Sequence, residues 1–176
     1  MRSKLSEQEH ATIYQYKLTK RIVISRELIQ SHFLTLAIFT GFLLWIYNIG
    51  GLFGWLAGFT IVQLLHLFVL LITFIRVEEA TDRKWIWRIN PPWVGFKPAN
   101  DINLLLFRRV HRHLFWIGLL IIAMMYPWVP AALTISMFFW HIWLIVPRLL
   151  LAFFFRKQPK NGVIRLQSFE ASYYSR

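Results

Sequence analysis

Two long stretches of the sequence, from Leu28 to Ile75 and from His113 to Pro147, contain no aspartate, glutamate, lysine or arginine. A charged side chain inside lipid hydrocarbon costs several kcal/mol, and one membrane-crossing helix needs about 20 apolar residues. Each stretch is long enough for two crossings and has turn-forming residues near its middle, at Asn48 to Gly51 and at Pro127 to Pro130. The sequence therefore predicts an all-α, polytopic membrane protein in which four transmembrane helices form two hairpins, with interfacial helices outside them.

The composition also favours a membrane environment. Hydrophobic residues make up 57% of the 176 residues, more than a single soluble core of this size readily hides. The formal net charge is +12, but the basic residues all lie in segments that border the charge-free stretches. This distribution favours anionic lipid head groups over nucleic acid as the partner. Cysteine is absent, which excludes thiolate metal sites and cysteine nucleophiles.

The lysines and arginines predict the orientation in the membrane. Six precede the first stretch, eight separate the two stretches, six follow the second, and neither predicted outer turn has any. By the positive-inside rule, both chain ends and the central connection are cytoplasmic in a multi-pass protein of a bacterial-type plasma membrane. The predicted segments are a cytoplasmic N-terminal segment (1–31), a first transmembrane hairpin (32–75), a cytoplasmic aromatic and basic connecting segment (76–112), a second transmembrane hairpin (113–155) and a cytoplasmic tail (156–176).

The second hairpin leaves alternatives open at its inner end. A third span from about His113 to Tyr126 covers only about 21 Å of a roughly 30 Å core, so it needs help from its flanks. The fourth span has two alternative ends. Either it leaves the membrane after Pro147, with 148–156 along the inner surface, or it continues to Phe155 with Arg148 reaching the head groups.

Outside the spans, the sequence predicts further helices. Residues 1–30 form an amphipathic or mixed helix, and Asn100 or Asp101 caps an interfacial helix that leads into the third span. Between them, the segment from Trp85 to Pro98 is aromatic and broken by prolines. The polar tail is expected to have little order.

Small residues at a spacing of four predict close packing between helices. Gly54 and Gly58 have this spacing in the second span, and Ala37 and Gly41 have it in the first. Small side chains allow two helix backbones to approach closely. Both pairs are therefore expected at helix contacts.

Polar side chains inside the predicted spans are candidates for function, because such residues normally face protein rather than lipid. His66 and His141 lie at matching depths on spans that run in the same direction. Two such histidines either ligate the iron of haem b from opposite sides, relay protons, or simply bond to a neighbouring polar group. The candidate intramembrane polar residues are Thr60, Gln63, His66, Thr134 and His141.

The connecting segment contains the candidate residues for binding lipid or a partner. Tryptophans are typical anchors at head-group depth, and juxtamembrane arginines typically bind anionic lipid. The members of this set are Trp85, Trp87, Trp93, Arg108, Arg109 and Arg112.

No motif of a catalytic or metal site occurs in the sequence, so neither catalytic nor metal-ligating residues are predicted. The sequence therefore favours a non-catalytic accessory, regulatory or assembly factor for a membrane partner, with no resident cofactor. The expected partners are anionic lipids and either another membrane protein or a second copy of the chain. Two alternatives remain: a small transporter, channel subunit or lipid-handling protein that uses the polar residues of the second and fourth spans, and a haem b electron-transfer subunit.

Overall fold

In the computed structural model, which describes residues 17–77 and 83–175, three helices are joined to six short strands. The helices are α1 (Arg26–Phe74), α2 (Leu104–Met125) and α3 (Ala131–Phe154), and a 3₁₀ turn, Tyr126–Trp128, joins the last two. The strands are β1 (Lys17–Val23), β2 (Trp85–Arg88), β3 (Gly95–Pro98), β4 (Ile102–Asn103), β5 (Val163–Leu166) and β6 (Glu170–Ser175). All three helices are long and apolar enough to cross a membrane.

Helix α1 changes direction at Asn48, the one residue within it that has non-helical backbone angles (φ 51°, ψ −141°). Asparagine is among the few residues other than glycine that adopt a positive φ readily. A Cβ atom on Gly51 would overlap the carbonyl oxygen of Leu43, so a glycine is needed where the second arm leaves the first. Asn48 therefore divides α1 into a first arm, 26–47, and a second arm, 49–74.

Both arms of α1 pack against α3, and they run in opposite directions along it. On the first arm, the Trp143 indole Nε1 donates to the carbonyl oxygen of His32 at 2.9 Å, and the Phe39 ring stacks on Phe139 at 3.7 Å. On the second arm, the backbone at Gly58 approaches Ser136 so closely that a Cβ there would lie 2.8 Å from the Ser136 Cβ. Helix α3 is thus the central element of the bundle, and α2 packs on it as well.

The packing prediction for small residues holds for one pair and fails for the other. Gly54 and Gly58 lie directly against the α3 backbone near Ala132 and Ser136, as predicted. Gly41, in contrast, has no atom within 4 Å of the position of a Cβ, so the predicted contact at this glycine is absent.

Four of the strands form an antiparallel sheet in the order β1-β6-β5-β4. Strands β2 and β3 form a separate antiparallel pair. Lys17 is opposite Ser175 and Val23 is opposite Glu170, so the two described ends of the chain are paired. The sheet packs on the end of the bundle where α3 finishes. There Lys20 Nζ donates to the carbonyl oxygen of Phe154 at 2.8 Å, and the Phe155 ring contacts Tyr173 at 6.0 Å.

The predicted fold class is wrong. The first two predicted spans form one helix, because a single residue with positive φ, Asn48, turns the chain without a loop. The fold is also not all-α, because strands occupy the connecting segment and the tail and replace the predicted helix over 17–23. These strands are two to seven residues long, and β1 and β4 pair with segments far away in the sequence, so local periodicity does not reveal them. Residues 1–16 of the predicted N-terminal helix lie outside the described residues.

The structure gives the ends of the second and third helices, which concern the two open questions about the second hairpin. Helix α2 begins at Leu104, capped by the Asn103 side chain, which accepts from the Leu105 amide at 2.8 Å. Neither Asn100 nor Asp101 is the cap, and the early start gives this helix the length that the predicted span lacked. Helix α3 continues through Pro147 to Phe154, but Arg148 is buried and does not extend outwards as the second alternative had it.

Tyr173 provides a test of how the sheet is attached to the bundle. Its side chain is buried, and its hydroxyl donates to the carbonyl oxygen of Pro159 at 2.6 Å. Removal of the hydroxyl in Tyr173→Phe leaves that carbonyl without its donor and is expected to cost about 1 kcal/mol of stability. The thermal unfolding midpoint in detergent measures this loss, with Tyr174→Phe, which changes a half-buried neighbour, as control.

The same tyrosine predicts a loss of stability at alkaline pH. Burial raises the pKa of Tyr173, so folding disfavours the ionised phenol. The stabilisation is complete below the ordinary tyrosine pKa of about 10 and is lost as the pH rises through that value towards the raised one. The unfolding midpoint of the wild type should therefore fall more steeply above about pH 10 than that of Tyr173→Phe. Equal slopes would contradict the burial of this hydroxyl.

Candidate functional site

Two histidines from different helices form a direct hydrogen bond in the bundle interior. His66 on the second arm of α1 and His141 on α3 are both buried, and His66 Nε2 lies 3.1 Å from His141 Nδ1. His141 Nε2 lies 3.2 Å from the carbonyl oxygen of Phe115 on α2. Because a carbonyl only accepts, neutral His141 has its proton on Nε2, and His66 Nε2 then donates to His141 Nδ1. This chain of hydrogen bonds joins all three helices.

This geometry differs from that of a haem iron held between two histidines. Two nitrogens that bind one metal ion from opposite sides are about 4 Å apart, because each metal–nitrogen bond is about 2 Å long. The facing nitrogens of His66 and His141 are at hydrogen-bond distance instead. Within 17–77 and 83–175, no group of three or more histidine or carboxylate side chains has the arrangement of a metal site.

A buried arginine lies on the same face of α3. Arg148 is 2% exposed, and its Nη2 donates to the carbonyl oxygen of Val94 at 2.7 Å. Val94 and Gly95 belong to the β2–β3 hairpin, which closes over the bundle at this point. Gly95 has φ 96°, and a Cβ on it would lie 3.2 Å from Gln63 Oε1 and 3.5 Å from Arg148 Nη2. Glycine therefore permits the hairpin backbone to approach both side chains.

Gln63 connects the other strand of this hairpin to α1. Its Oε1 accepts from the Trp87 indole Nε1 at 3.1 Å, whereas its buried Nε2 has no partner among the described residues. His111 on α2 likewise has one bonded and one unbonded nitrogen. Its Nδ1 lies 2.7 Å from the carbonyl oxygen of Phe107, and its buried Nε2 has no partner in the part of the chain that is described.

The cluster of Gln63, His66, His111, His141 and Arg148, named here the polar core, lacks a negative charge among the described residues. The described carboxylates lie elsewhere: Asp101 pairs with Arg165, Glu170 pairs with Arg21, and Glu27 is in the first turn of α1. Burial, with the charges of Arg88 and Arg148, lowers the pKa of nearby Lys97. Among the described residues, the group bonded to the Arg148 guanidinium is the backbone carbonyl of Val94.

The remaining predicted intramembrane residues do not join the polar core. Thr60 Oγ1 donates to the carbonyl oxygen of Leu56 at 3.2 Å, and Thr134 Oγ1 donates to that of Pro130 at 3.3 Å. Each hydroxyl therefore bonds within or next to its own helix. Of the predicted polar residues, the structure brings Gln63, His66 and His141 together.

The predicted set for lipid or partner binding is divided among different environments. Trp93 is 1% exposed, and its Nε1 donates to the carbonyl oxygen of Gln167 at 2.7 Å, so it anchors the hairpin to the sheet. Trp85 packs between the Phe74 and His111 rings. Trp87 remains 43% exposed beside its bond to Gln63.

The three arginines of this set also differ. Arg108 Nη2 donates to the carbonyl oxygen of Phe155 at 2.5 Å, which ties α2 to the end of α3. Arg109 and Arg112 are exposed, and Arg109 lines a groove between α2 and the second arm of α1. Arg108 is therefore a structural residue, whereas the other two remain available to a partner.

No protein-family model, curated protein or solved structure matches this chain. The function must be inferred from the geometry of the protein itself.

Two members of the polar core, Arg148 and His111, were not among the site residues predicted from the sequence. Arg148 was expected to reach the head groups, but the β2–β3 hairpin covers it and supplies a carbonyl acceptor. One signal was present, because Thr134, His141 and Arg148 recur every seven residues on one face of α3. His111 lies in a run of basic residues that suggests an exposed surface, and nothing in the local pattern marks it as buried.

Proposed function

We propose that the protein is a non-catalytic, multi-pass protein of a bacterial-type plasma membrane that acts as an accessory or assembly factor for another membrane protein. Both described chain ends belong to one sheet, at the end of the bundle where α3 finishes. At the opposite end, the described residues form the turn at Asn48 and the connection between α2 and α3. With the positive-inside bias, this arrangement supports cytoplasmic chain ends and a partner that binds from the cytoplasm or laterally.

The observation that carries the proposal is the way the β2–β3 hairpin is held. One side is fixed to the rest of the protein through buried Trp93, through the Val94 carbonyl and through Gly95. Trp87 remains 43% exposed although its indole donates to Gln63, and Ile89, which follows β2, is 70% exposed. Large apolar side chains on a rigid support are typical of the residues that dominate binding energy at protein interfaces.

Transport receives less support from this geometry. His66 and His141 bond to each other, and Gly58 lies in direct contact with Ser136. The polar side chains of the second arm and α3 thus make helix-to-helix contacts instead of lining an aqueous passage. The β2–β3 hairpin also covers Gln63 and Arg148.

A photo-crosslinking residue at position 89 tests the proposal, and position 49 is the matched control. Ile89 and Ile49 are both 70% exposed, but Ile49 is at the opposite end of the bundle, next to Asn48. We expect position 89 to crosslink one defined membrane protein in native membranes and position 49 not to do so. Ile89→Asn should reduce recovery of that protein in mild detergent by about tenfold, since one well-packed interface side chain contributes about 1–2 kcal/mol. Ile49→Asn should leave recovery unchanged.

Two outcomes would contradict the proposed function. Crosslinking of position 89 to lipid alone would show that Ile89 faces the bilayer. Equal recovery of the partner with Ile89→Asn and Ile49→Asn would show that the hairpin does not contribute to binding. Crosslinking to a second copy of this chain would make the partner a homo-oligomer, and the same two variants then test that contact by size-exclusion chromatography.

A further inference from the structure

A groove of about 430 Å³ lies between the second arm of α1 and α2, at the border between charge-free and charged sequence. Ile72 and Thr73 of the second arm lie on one side of this groove, and residues of α2 lie on the other. Arg76 follows the last turn of α1, and Arg109, His113 and Ile117 are spaced at four-residue intervals on α2, so they share one face. The lining residues are Ile72, Thr73, Arg76, Arg109, His113 and Ile117.

Polarity changes along this groove. Two arginines, Arg76 and Arg109, belong to the charged segments at its aqueous end. Isoleucines 72 and 117 belong to the charge-free stretches that lead into the membrane. A phospholipid has the same gradient, with a charged phosphate followed by an acyl chain.

The centre of the groove is organised by a hydrogen bond between the two helices. The Thr73 hydroxyl donates to the carbonyl oxygen of Val69 at 2.8 Å, so it accepts from His113 Nδ1, which lies 3.2 Å away. This arrangement orients the imidazole ring and leaves Nε2 without a hydrogen bond to any described residue.

The arginines of the groove have no counter-charge in the described part of the chain. The two ion pairs found there use Arg21 and Arg165, not Arg76 or Arg109. Both groove arginines are exposed. Among the described residues, neither guanidinium forms an ion pair, and both are open to an external anion.

We infer that this groove binds one anionic phospholipid, with the lipid phosphate between Arg76 and Arg109 and the start of an acyl chain against Ile72 and Ile117. The charge complementarity and the polarity gradient together select a lipid over a soluble anion, because a free phosphate makes no use of the apolar end. The inference rests on the membrane location in the proposed function but not on a protein partner.

Native mass spectrometry of the detergent-purified protein tests this site. The probes are dioleoyl-phosphatidylglycerol and dioleoyl-phosphatidylcholine, which have identical chains and differ in net head-group charge. We expect the wild type to retain one phosphatidylglycerol in preference to phosphatidylcholine. The double variant R76Q/R109Q should bind phosphatidylglycerol about thirtyfold more weakly, since each basic residue near anionic lipid contributes about 1 kcal/mol.

The control double variant R26Q/K157Q removes the same amount of charge at two exposed positions outside the groove. It should retain the wild-type preference. Equal losses in the two double variants, or no preference in the wild type, would overturn the inference in favour of diffuse attraction. Displacement of the lipid by inorganic phosphate at equal concentration would identify a soluble anion as the occupant and overturn it as well. Neither result affects the crosslinking test at position 89, so the two proposals fail separately.

Discussion

The substitution Gly118→Val is expected to force α2 away from α3 and to lower the free energy of unfolding by about 4 kcal/mol. A Cβ atom at Gly118 would overlap the imidazole of His141, and the Cβ branches of valine extend the overlap. The ring of His141 has little freedom to move, because it is bonded to both His66 and the Phe115 carbonyl. The cost therefore includes overpacking, at about 1–3 kcal/mol, and the loss of buried hydrogen bonds.

Gly41→Val is the matched control for this prediction. It makes the same change in another helix, so the intrinsic helix propensities and the added apolar surface are similar. No atom lies within 4 Å of a Cβ at Gly41, and its effect should be within about 0.5 kcal/mol. Unfolding in mixed micelles with increasing sodium dodecyl sulfate, followed by circular dichroism, compares the two variants. If both unfold at the wild-type detergent fraction, α2 does not pack against His141 as described.

The apolar helices could be predicted because exclusion of charge from lipid acts on each residue separately. The direction change of α1 at Asn48 also has a local signal, since Asn48 and Gly51 are residues that tolerate unusual backbone geometry. The number of helices could not be read in the same way. A turn made by one residue leaves helical geometry on both sides, and the sequence pattern does not distinguish it from a separate loop.

The sheet could not be predicted because two of its three strand pairings are non-local. Strand β1 pairs with β6, which lies at the other end of the chain, and β4 consists of only two residues, Ile102 and Asn103. Period-two alternation over such short segments is too weak to compete with the apparent amphipathic helix at the N-terminal end. Local propensity was overruled here by tertiary contacts, including the burial of Tyr173 and Ile164 against the bundle.

The polar core was predicted in part. His66 and His141 are polar residues in charge-free stretches, so the cost of placing them in lipid indicates that they face protein. Their direct hydrogen bond to each other was not predicted, although both had been placed at the same depth on helices that run in the same direction. Arg148 is different, because its environment depends on the β2–β3 hairpin, and neither Val94 nor Gly95 has a sequence signal that places it beside α3.

Two substitutions of Arg148 are expected to differ sharply in stability. Arg148→Ala removes a large buried side chain and leaves the Val94 carbonyl without its donor, which should cost about 4 kcal/mol through the cavity and the lost hydrogen bond. Arg148→Met removes the same hydrogen bond but fills most of the volume and abolishes a buried charge that has no described carboxylate partner. Replacement of buried charges by apolar groups of similar size is often neutral or stabilising, so this variant should unfold within about 1 kcal/mol of the wild type.

Comparison of Arg148→Ala with Arg148→Met separates a structural role of the Arg148 charge from a role in partner binding. If Arg148→Met is as unstable as Arg148→Ala, the guanidinium itself holds the β2–β3 hairpin on the bundle, and the argument from desolvation is wrong. If Arg148→Met is stable and also retains the crosslink from position 89, side-chain volume alone positions the hairpin. A stable Arg148→Met protein that loses this crosslink would show that the bond to Val94 sets the orientation of Trp87 and Ile89. The buried charge would then be maintained for recognition at the cost of stability, because the bundle itself does not need it.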